Sequence, residues 1–134
     1  MEERRRAVRL DAALTLGLAL AWGSAQACEL AGAKRLEAPT LVLAYRTIPA
    51  KIPTGTHFAL EVLVCPRSGA SVPAGLKADA HMPEHKHGMN YRPSIKADGP
   101  GRFRSEGWLF HMPGRWEFVF EAGAERLTDS VRLE

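Results

Sequence analysis

The sequence predicts an all-β protein, an Ig-like two-sheet antiparallel β-sandwich that follows a cleaved signal peptide. Short stretches of alternating apolar and polar residues recur along the chain, and turns rich in Gly and Pro separate them. No helical periodicity longer than one turn follows the first 27 residues. Six or seven short strands in a single domain are typical of a sandwich, with a small barrel as the alternative.

Residues 1–27 have the three parts of a secretory signal peptide. An arginine-rich start precedes an apolar run over residues 12–22, and Ala25-Gln26-Ala27 forms a cleavage site of the small-x-small type. The apolar run is too short to be a convincing membrane span. We therefore expect export to the periplasm or an equivalent compartment, and a mature β-sandwich domain of residues 28–134 without a membrane span.

The first three strands are predicted over residues 40–47, 57–65 and 76–82. The first is apolar and rich in β-branched residues, and the other two alternate apolar with polar side chains. Two prolines and a glycine mark residues 48–55 as a loop, and residues 66–75 have a loop composition.

The second half of the domain continues the same pattern. A short strand is predicted over residues 94–97, and an Asp-Gly-Pro-Gly turn separates it from a strand over residues 102–110. Alternating aromatic residues predict a strand over residues 116–121. A short Gly-containing turn then leads into a closing strand over residues 125–133.

The two cysteines and the charge balance limit the function. In an oxidising compartment Cys28 and Cys65 are most simply a disulfide, with metal binding by their thiols and lipid anchoring through Cys28 as alternatives. The 18 Lys and Arg residues against 15 Asp and Glu give a net charge of +3. Because the basic residues form no run after the signal peptide, we expect no nucleic-acid partner.

Histidine and methionine are concentrated in two fragments of the chain. The stretch 80–93 holds three of the five histidines and two of the four methionines, and His111-Met112-Pro113 repeats its His-Met-Pro triplet. Imidazole together with thioether favours copper, and the soft sulfur favours Cu(I). The sequence therefore predicts a copper site, although His and Glu side chains of the first fragment would also accept Cu(II) or Zn(II).

The period of a strand ranks the candidate ligands. His85, His87 and Met89 lie on one face if their segment is extended. We predict these three as metal ligands, with His111 or Met112 closing the site from the second fragment. Further candidates are His81, on the polar face of its strand, and Met82, on the apolar face. The remaining histidine, His57, is predicted to be structural or solvated.

Motifs of other chemistries are missing from the sequence. It has no Gly-rich phosphate loop, no serine nucleophile elbow and no zinc-protease helix motif. We therefore expect a binding protein and not an enzyme.

Two blocks carry a resemblance to a known family. Met82-Pro83-Glu84-His85-Lys86-His87-Gly88-Met89 and Met112-Pro113-Gly114-Arg115-Trp116 resemble blocks of the YtkA-like/FixH-like group of small exported β-sandwich domains. The resemblance covers nearly all of residues 28–134 and implies copper handling in the cell envelope. The chain is also distantly similar to periplasmic copper carriers of the CopC and PCuAC types, whose ligand spacings it does not reproduce.

These observations lead to one functional hypothesis and one alternative. The hypothesis is an exported copper-binding protein, a carrier or sequestering protein that exchanges its ion with an envelope copper protein. The alternative is an interaction module of the cell envelope, in which the two blocks serve only the architecture of the domain.

Overall fold

The computed structural model describes residues 28–67 and 69–134, and in these residues it contains nine β-strands. The strands are β1 (Lys34–Glu37), β2 (Leu41–Ile48), β3 (Phe58–Pro66), β4 (Leu76–Met82), β5 (His87–Gly88), β6 (Ser94–Ala97), β7 (Arg102–Trp108), β8 (Gly114–Ala122) and β9 (Glu125–Leu133). The predicted signal peptide, residues 1–27, lies outside the described residues. Within the described residues, no helix is long and apolar enough to cross a membrane.

The strands form two antiparallel sheets that pack face to face. One sheet has the order β1-β2-β3-β7-β6 and the other has the order β5-β4-β8-β9. The inward faces of both sheets supply a single core, in which Trp108, Trp116 and Phe118 are fully buried. The prediction of an all-β, two-sheet antiparallel sandwich is confirmed.

Two strands are not predicted by the sequence, because neither has a clear alternating pattern. β1 is an edge strand with mostly exposed side chains, so its sequence lacks an apolar face. β5 has only two residues and is paired through the hairpin that joins it to β4. The other seven strands lie where the sequence predicts them, apart from shifts of one or two residues at their ends.

The predicted disulfide between Cys28 and Cys65 is confirmed. It ties the start of the domain to β3, and Cys28 is only 6% exposed. Because the sulfur of Cys28 is bound to Cys65, it cannot at the same time carry a lipid or bind a metal. A disulfide is typical of proteins from oxidising, exported compartments.

A buried tyrosine connects the two sheets through a hydrogen bond. Tyr45 of β2 is 2% exposed, and its hydroxyl donates to the carboxylate of Asp129 on β9. The Nζ atom of Lys34 lies 3.0 Å from the same carboxylate. Burial raises the pKa of Tyr45 far above its ordinary value, and the hydrogen bond and negative charge of Asp129 raise the pKa further.

Replacing Tyr45 with Phe should make the protein less sensitive to alkaline pH. Above about pH 10 the tyrosine of the unfolded chain loses its proton while the folded chain retains it, so the free energy of unfolding of the wild type falls as the pH rises. The Tyr45→Phe variant lacks this contribution, and its stability should decline less steeply. Urea unfolding at several pH values measures the slopes.

The control is Tyr91→Phe. Tyr91 is 48% exposed, so this substitution removes a tyrosine hydroxyl outside the core. This variant should follow the wild type over the alkaline range. Parallel slopes for the wild type and Tyr45→Phe would contradict the prediction.

Candidate metal centre

One end of the sandwich carries all the histidines of the chain and all its methionines except Met1. At this end β2 and β7 finish, β3 starts opposite the last residue of β7, and β4 finishes beside the start of β8. Residues Thr54 and Phe110 form a bridge between two of the loops there. The histidines and methionines at this end are His57, His81, His85, His87, His111, Met82, Met89 and Met112.

The β4–β5 hairpin sets the direction of the first group of side chains. A turn over residues 83–86 joins the strands, and Met82 lies directly opposite His87. Residues directly opposite in an antiparallel pair point to the same face. Because Met82 is fully buried, this face is the interior of the sandwich. His81 belongs to the opposite face, where its Nε2 atom lies 3.5 Å from a carboxylate oxygen of Glu117.

The second fragment approaches the hairpin closely at Gly114. Gly114 has a φ of +121°, and a Cβ atom at this position would lie 2.7 Å from the terminal methyl carbon of Met82. A side chain at this position would force the end of the Met82 side chain to shift, and the positive φ disfavours residues other than glycine. Trp116 holds the corner from inside, since its indole N–H donates to the carbonyl of Met112 at 3.0 Å and its ring stacks on Phe110 at 4.3 Å.

Three imidazole rings from the two fragments form a row. The ring centroids of His85 and His87 are 5.8 Å apart, and those of His87 and His111 are 5.3 Å apart. Two imidazoles that bind one ion through metal–nitrogen bonds of about 2 Å have ring centroids roughly 5 to 6 Å apart. The spacing of neighbouring rings is therefore compatible with a shared ion.

His111 contains a buried nitrogen without a partner. Its Nδ1 atom is buried and has no hydrogen-bond partner among the described residues. The ring stands nearly perpendicular to the buried indole of Trp116, with a centroid distance of 5.4 Å. Buried polar atoms are nearly always hydrogen-bonded, and leaving one unpaired costs about 1–3 kcal/mol.

The remaining candidates contribute in different ways. Met89 is half-buried, packs against the core and lines a groove together with His81. Met112 is also half-buried and packs against the core, and its carbonyl accepts the hydrogen bond from the indole N–H of Trp116. The Nδ1 atom of His57 lies 3.2 Å from the carbonyl of Trp108, so the structural role predicted for His57 agrees with this contact.

No group of three or more His, Cys, Asp or Glu side chains that could hold a metal ion is found in residues 28–67 and 69–134. Thioether sulfur lies outside that set of ligands. His87 lies opposite Met82 in the hairpin and its ring neighbours that of His111, so a mixed site of imidazole and thioether could draw on these three residues.

An ion pair that the sequence does not indicate connects the two fragments. Arg115 Nε donates to a carboxylate oxygen of Glu84 at 2.7 Å, and its Nη1 donates to Ser130 Oγ at 3.0 Å. The hydrogen bond from Arg115 holds the pKa of Glu84 below its ordinary value, and the same bond raises the pKa of Arg115. Exposed ion pairs stabilise a fold only slightly. This pair links the turn that carries His85 to β8.

Comparison with known proteins gives no relative for the chain. No protein-family model, no curated protein and no solved structure matches it. The likeness of its two blocks to the YtkA-like/FixH-like group therefore stays a prediction.

Proposed function

We propose that this protein is exported and binds one copper ion, as Cu(I), at the histidine- and methionine-rich end of its sandwich. The ion is cargo that the protein carries or sequesters, and no catalytic step is required of it. The observation that carries the proposal is the buried Nδ1 atom of His111, which has no hydrogen-bond partner within residues 28–67 and 69–134, in a ring whose centroid lies 5.3 Å from that of His87.

The chemistry of the neighbouring groups favours copper over other metals. Neutral imidazole nitrogen suits copper and zinc, whereas a thioether such as that of Met82 selects Cu(I). Met82 shares the inward face of the β4–β5 hairpin with His87. An ion held by nitrogen and sulfur would also give a partner to the polar atom that otherwise remains unsatisfied.

The exposure of the site suits a carrier that releases its ion. His85 lies in the exposed turn, and His87 and His111 are only half-buried, while Met82 is fully buried. A partner can therefore reach the imidazoles from solvent while the sulfur remains protected. We expect the ion to pass to or from another copper protein of the envelope through His85.

Titration of the wild-type protein tests the proposal. The protein and a chromophoric Cu(I) chelator compete for copper under ascorbate, and X-ray absorption of the loaded protein identifies the bound atoms. We expect one Cu(I) per chain, a dissociation constant of micromolar or tighter, and both nitrogen and sulfur scattering. Weaker binding, or scattering from nitrogen and oxygen alone, would reject a Cu(I) carrier.

Three contacts support the alternative of an interaction module. The Gly114 corner, the indole–carbonyl hydrogen bond and the Phe110–Trp116 stack all serve the fold itself. If the protein binds neither Cu(I), Cu(II) nor Zn(II), the two blocks serve only the architecture of the domain.

A further inference from the structure

One buried tryptophan contacts both of the imidazoles that come together from the two His-Met-Pro fragments. Trp116 of β8 is fully buried, and its ring centroid lies 5.4 Å from that of His111 and 6.1 Å from that of His87. Both imidazole planes stand nearly perpendicular to the indole, at 81° and 75°. Trp116 is therefore an aromatic neighbour that the two candidate ligands share.

Contacts that need no metal fix the orientation of this indole. Its N–H donates to the carbonyl of Met112 at 3.0 Å, and Phe110 stacks on it with the two ring planes only 5° apart. Phe110 covers one face of the indole, so the opposite face is the one that a further group can occupy. Because both contacts would be lost if the indole turned, the fold itself sets its position toward the imidazoles.

The side of the candidate metal centre that faces the core is apolar. His81 lies opposite Glu117 on the outer face of the β4–β8 pair, so the adjoining residues Met82 and Trp116 both point inward. Both of these side chains are fully buried. A thioether and an indole therefore line the inner side of the centre, away from solvent.

The distances place a shared ion within reach of the indole. The three centroid distances put the midpoint between the His87 and His111 rings about 5 Å from the indole centroid, and a cation is attracted to the face of Trp within roughly 6 Å of that centroid. An ion bonded to one nitrogen of each imidazole lies near this midpoint. Among the aromatic side chains, Trp attracts cations most strongly.

We propose that Trp116 is a specificity-determining residue of the candidate metal centre, whose indole lies against the bound ion and favours soft, singly charged ions such as Cu(I) over Zn(II). This role rests on the proposed function, because it requires an ion between His87 and His111. Zn(II) completes a tetrahedral shell with nitrogen, oxygen or thiolate ligands. The indole occupies one side of the ion without supplying such a ligand, whereas the sulfur of Met82 and the aromatic face both suit Cu(I).

The fluorescence of single-tryptophan variants tests whether the ion reaches Trp116. In a Trp22→Phe background, Trp108→Phe leaves Trp116 as the one indole, and Trp116→Phe leaves Trp108. Trp108 is also fully buried and packs on Phe118. We expect one equivalent of Cu(I), added without oxygen, to quench the emission of Trp116 saturably and to leave that of Trp108 nearly unchanged.

Chelator competition on the same samples separates this role of Trp116 from the proposed function. One bound Cu(I) per chain with unchanged Trp116 emission, or with equal quenching of Trp108, overturns the role and leaves the copper site standing. If no Cu(I) binds, the proposed function fails, and the role of Trp116 fails with it.

Displacement of bound Cu(I) by Zn(II), followed with the Cu(I) chelator, tests the selectivity. Trp116→Leu keeps the position apolar but removes the aromatic face, so roughly tenfold less Zn(II) should displace the ion than in the wild type. Trp116→Phe retains a weaker aromatic face and a ring that can stack on Phe110. It should fall between the two, and it decides the test if Trp116→Leu does not fold.

The matched control is Trp108→Leu, which makes the same substitution at another fully buried tryptophan. Displacement from this variant should require as much Zn(II) as displacement from the wild type. Equal shifts in Trp108→Leu and Trp116→Leu would reduce Trp116 to a packing residue, and the absence of any shift in the Trp116 variants would likewise overturn its role in selectivity.

Discussion

Replacing His87 and His111 together with alanine should weaken Cu(I) binding by at least about a hundredfold, because even the outer partners of metal ligands change affinity by 10- to 100-fold. The two rings come from different fragments and are 5.3 Å apart, so the double variant removes one imidazole from each side of the candidate site. Competition with the chelator, performed as for the wild type, gives the ratio of the two dissociation constants.

The matched control is the double variant His57→Ala with His81→Ala. Both residues lie at the same end of the sandwich, but His57 contacts the Trp108 carbonyl and His81 pairs with Glu117 on the outer face. This variant removes as many imidazoles and should keep wild-type affinity. A loss as large as that of the first variant would contradict the location of the site.

The stability of the copper-free protein separates a ligand from a structural histidine. A buried nitrogen without a partner destabilises a fold, so an apolar replacement of His111 should leave the free energy of unfolding unchanged or increase it. His111→Leu should therefore keep or raise the free energy of unfolding while it weakens copper binding. A clear loss of stability would instead assign His111 a packing role against Trp116.

The thioether ligand can be identified one methionine at a time. Leucine has nearly the volume of methionine, so a Met→Leu change removes sulfur with little effect on packing. Because Met82 shares its face with His87 and touches Gly114, Met82→Leu should lower Cu(I) affinity more than Met89→Leu or Met112→Leu. Sulfur scattering that survives in Met82→Leu would assign the sulfur to one of the other two residues.

Sequence pattern is sufficient to predict the sandwich because its strands are half-buried. The alternation that the sequence shows in β4 places Met82 in the core and His81 outside, and both placements are confirmed. β1 and β5 could not be predicted, because a polar edge strand and a two-residue strand leave no periodic pattern.

The site is harder to predict because its geometry depends on a turn and on long-range packing. The expected common face of His85, His87 and Met89 requires an extended segment, but residues 83–86 form a turn in which Lys86 adopts a left-handed φ of 53°. A lysine gives no signal for that conformation, which Gly and Asn favour. The approach of Gly114 to Met82 arises only when β8 pairs with β4, and nothing local in the sequence encodes that contact.

Removing the disulfide should cost a large part of the stability of the domain. The bond between Cys28 and Cys65 closes a loop with a sequence separation of 37 residues. The chain-entropy treatment assigns a loop of this length about 4 kcal/mol, compared with the 5–15 kcal/mol that stabilises a typical domain. The Cys28→Ala, Cys65→Ala variant should therefore lose about 4 kcal/mol of unfolding free energy, measured by urea denaturation.

The same variant also tests whether thiols contribute to metal binding. Cys65 lies near the far end of β3, about 23 Å along the strand from Phe58 at the histidine-rich end. Below its melting temperature the variant should keep wild-type Cu(I) affinity, because its metal centre is remote from the change. Reduced wild-type protein should match the stability of the variant, since both lack the same covalent link. A stability loss under about 1 kcal/mol would contradict the entropic role of the bond. Loss of copper binding in the folded variant would show that the cysteines contribute to the metal site.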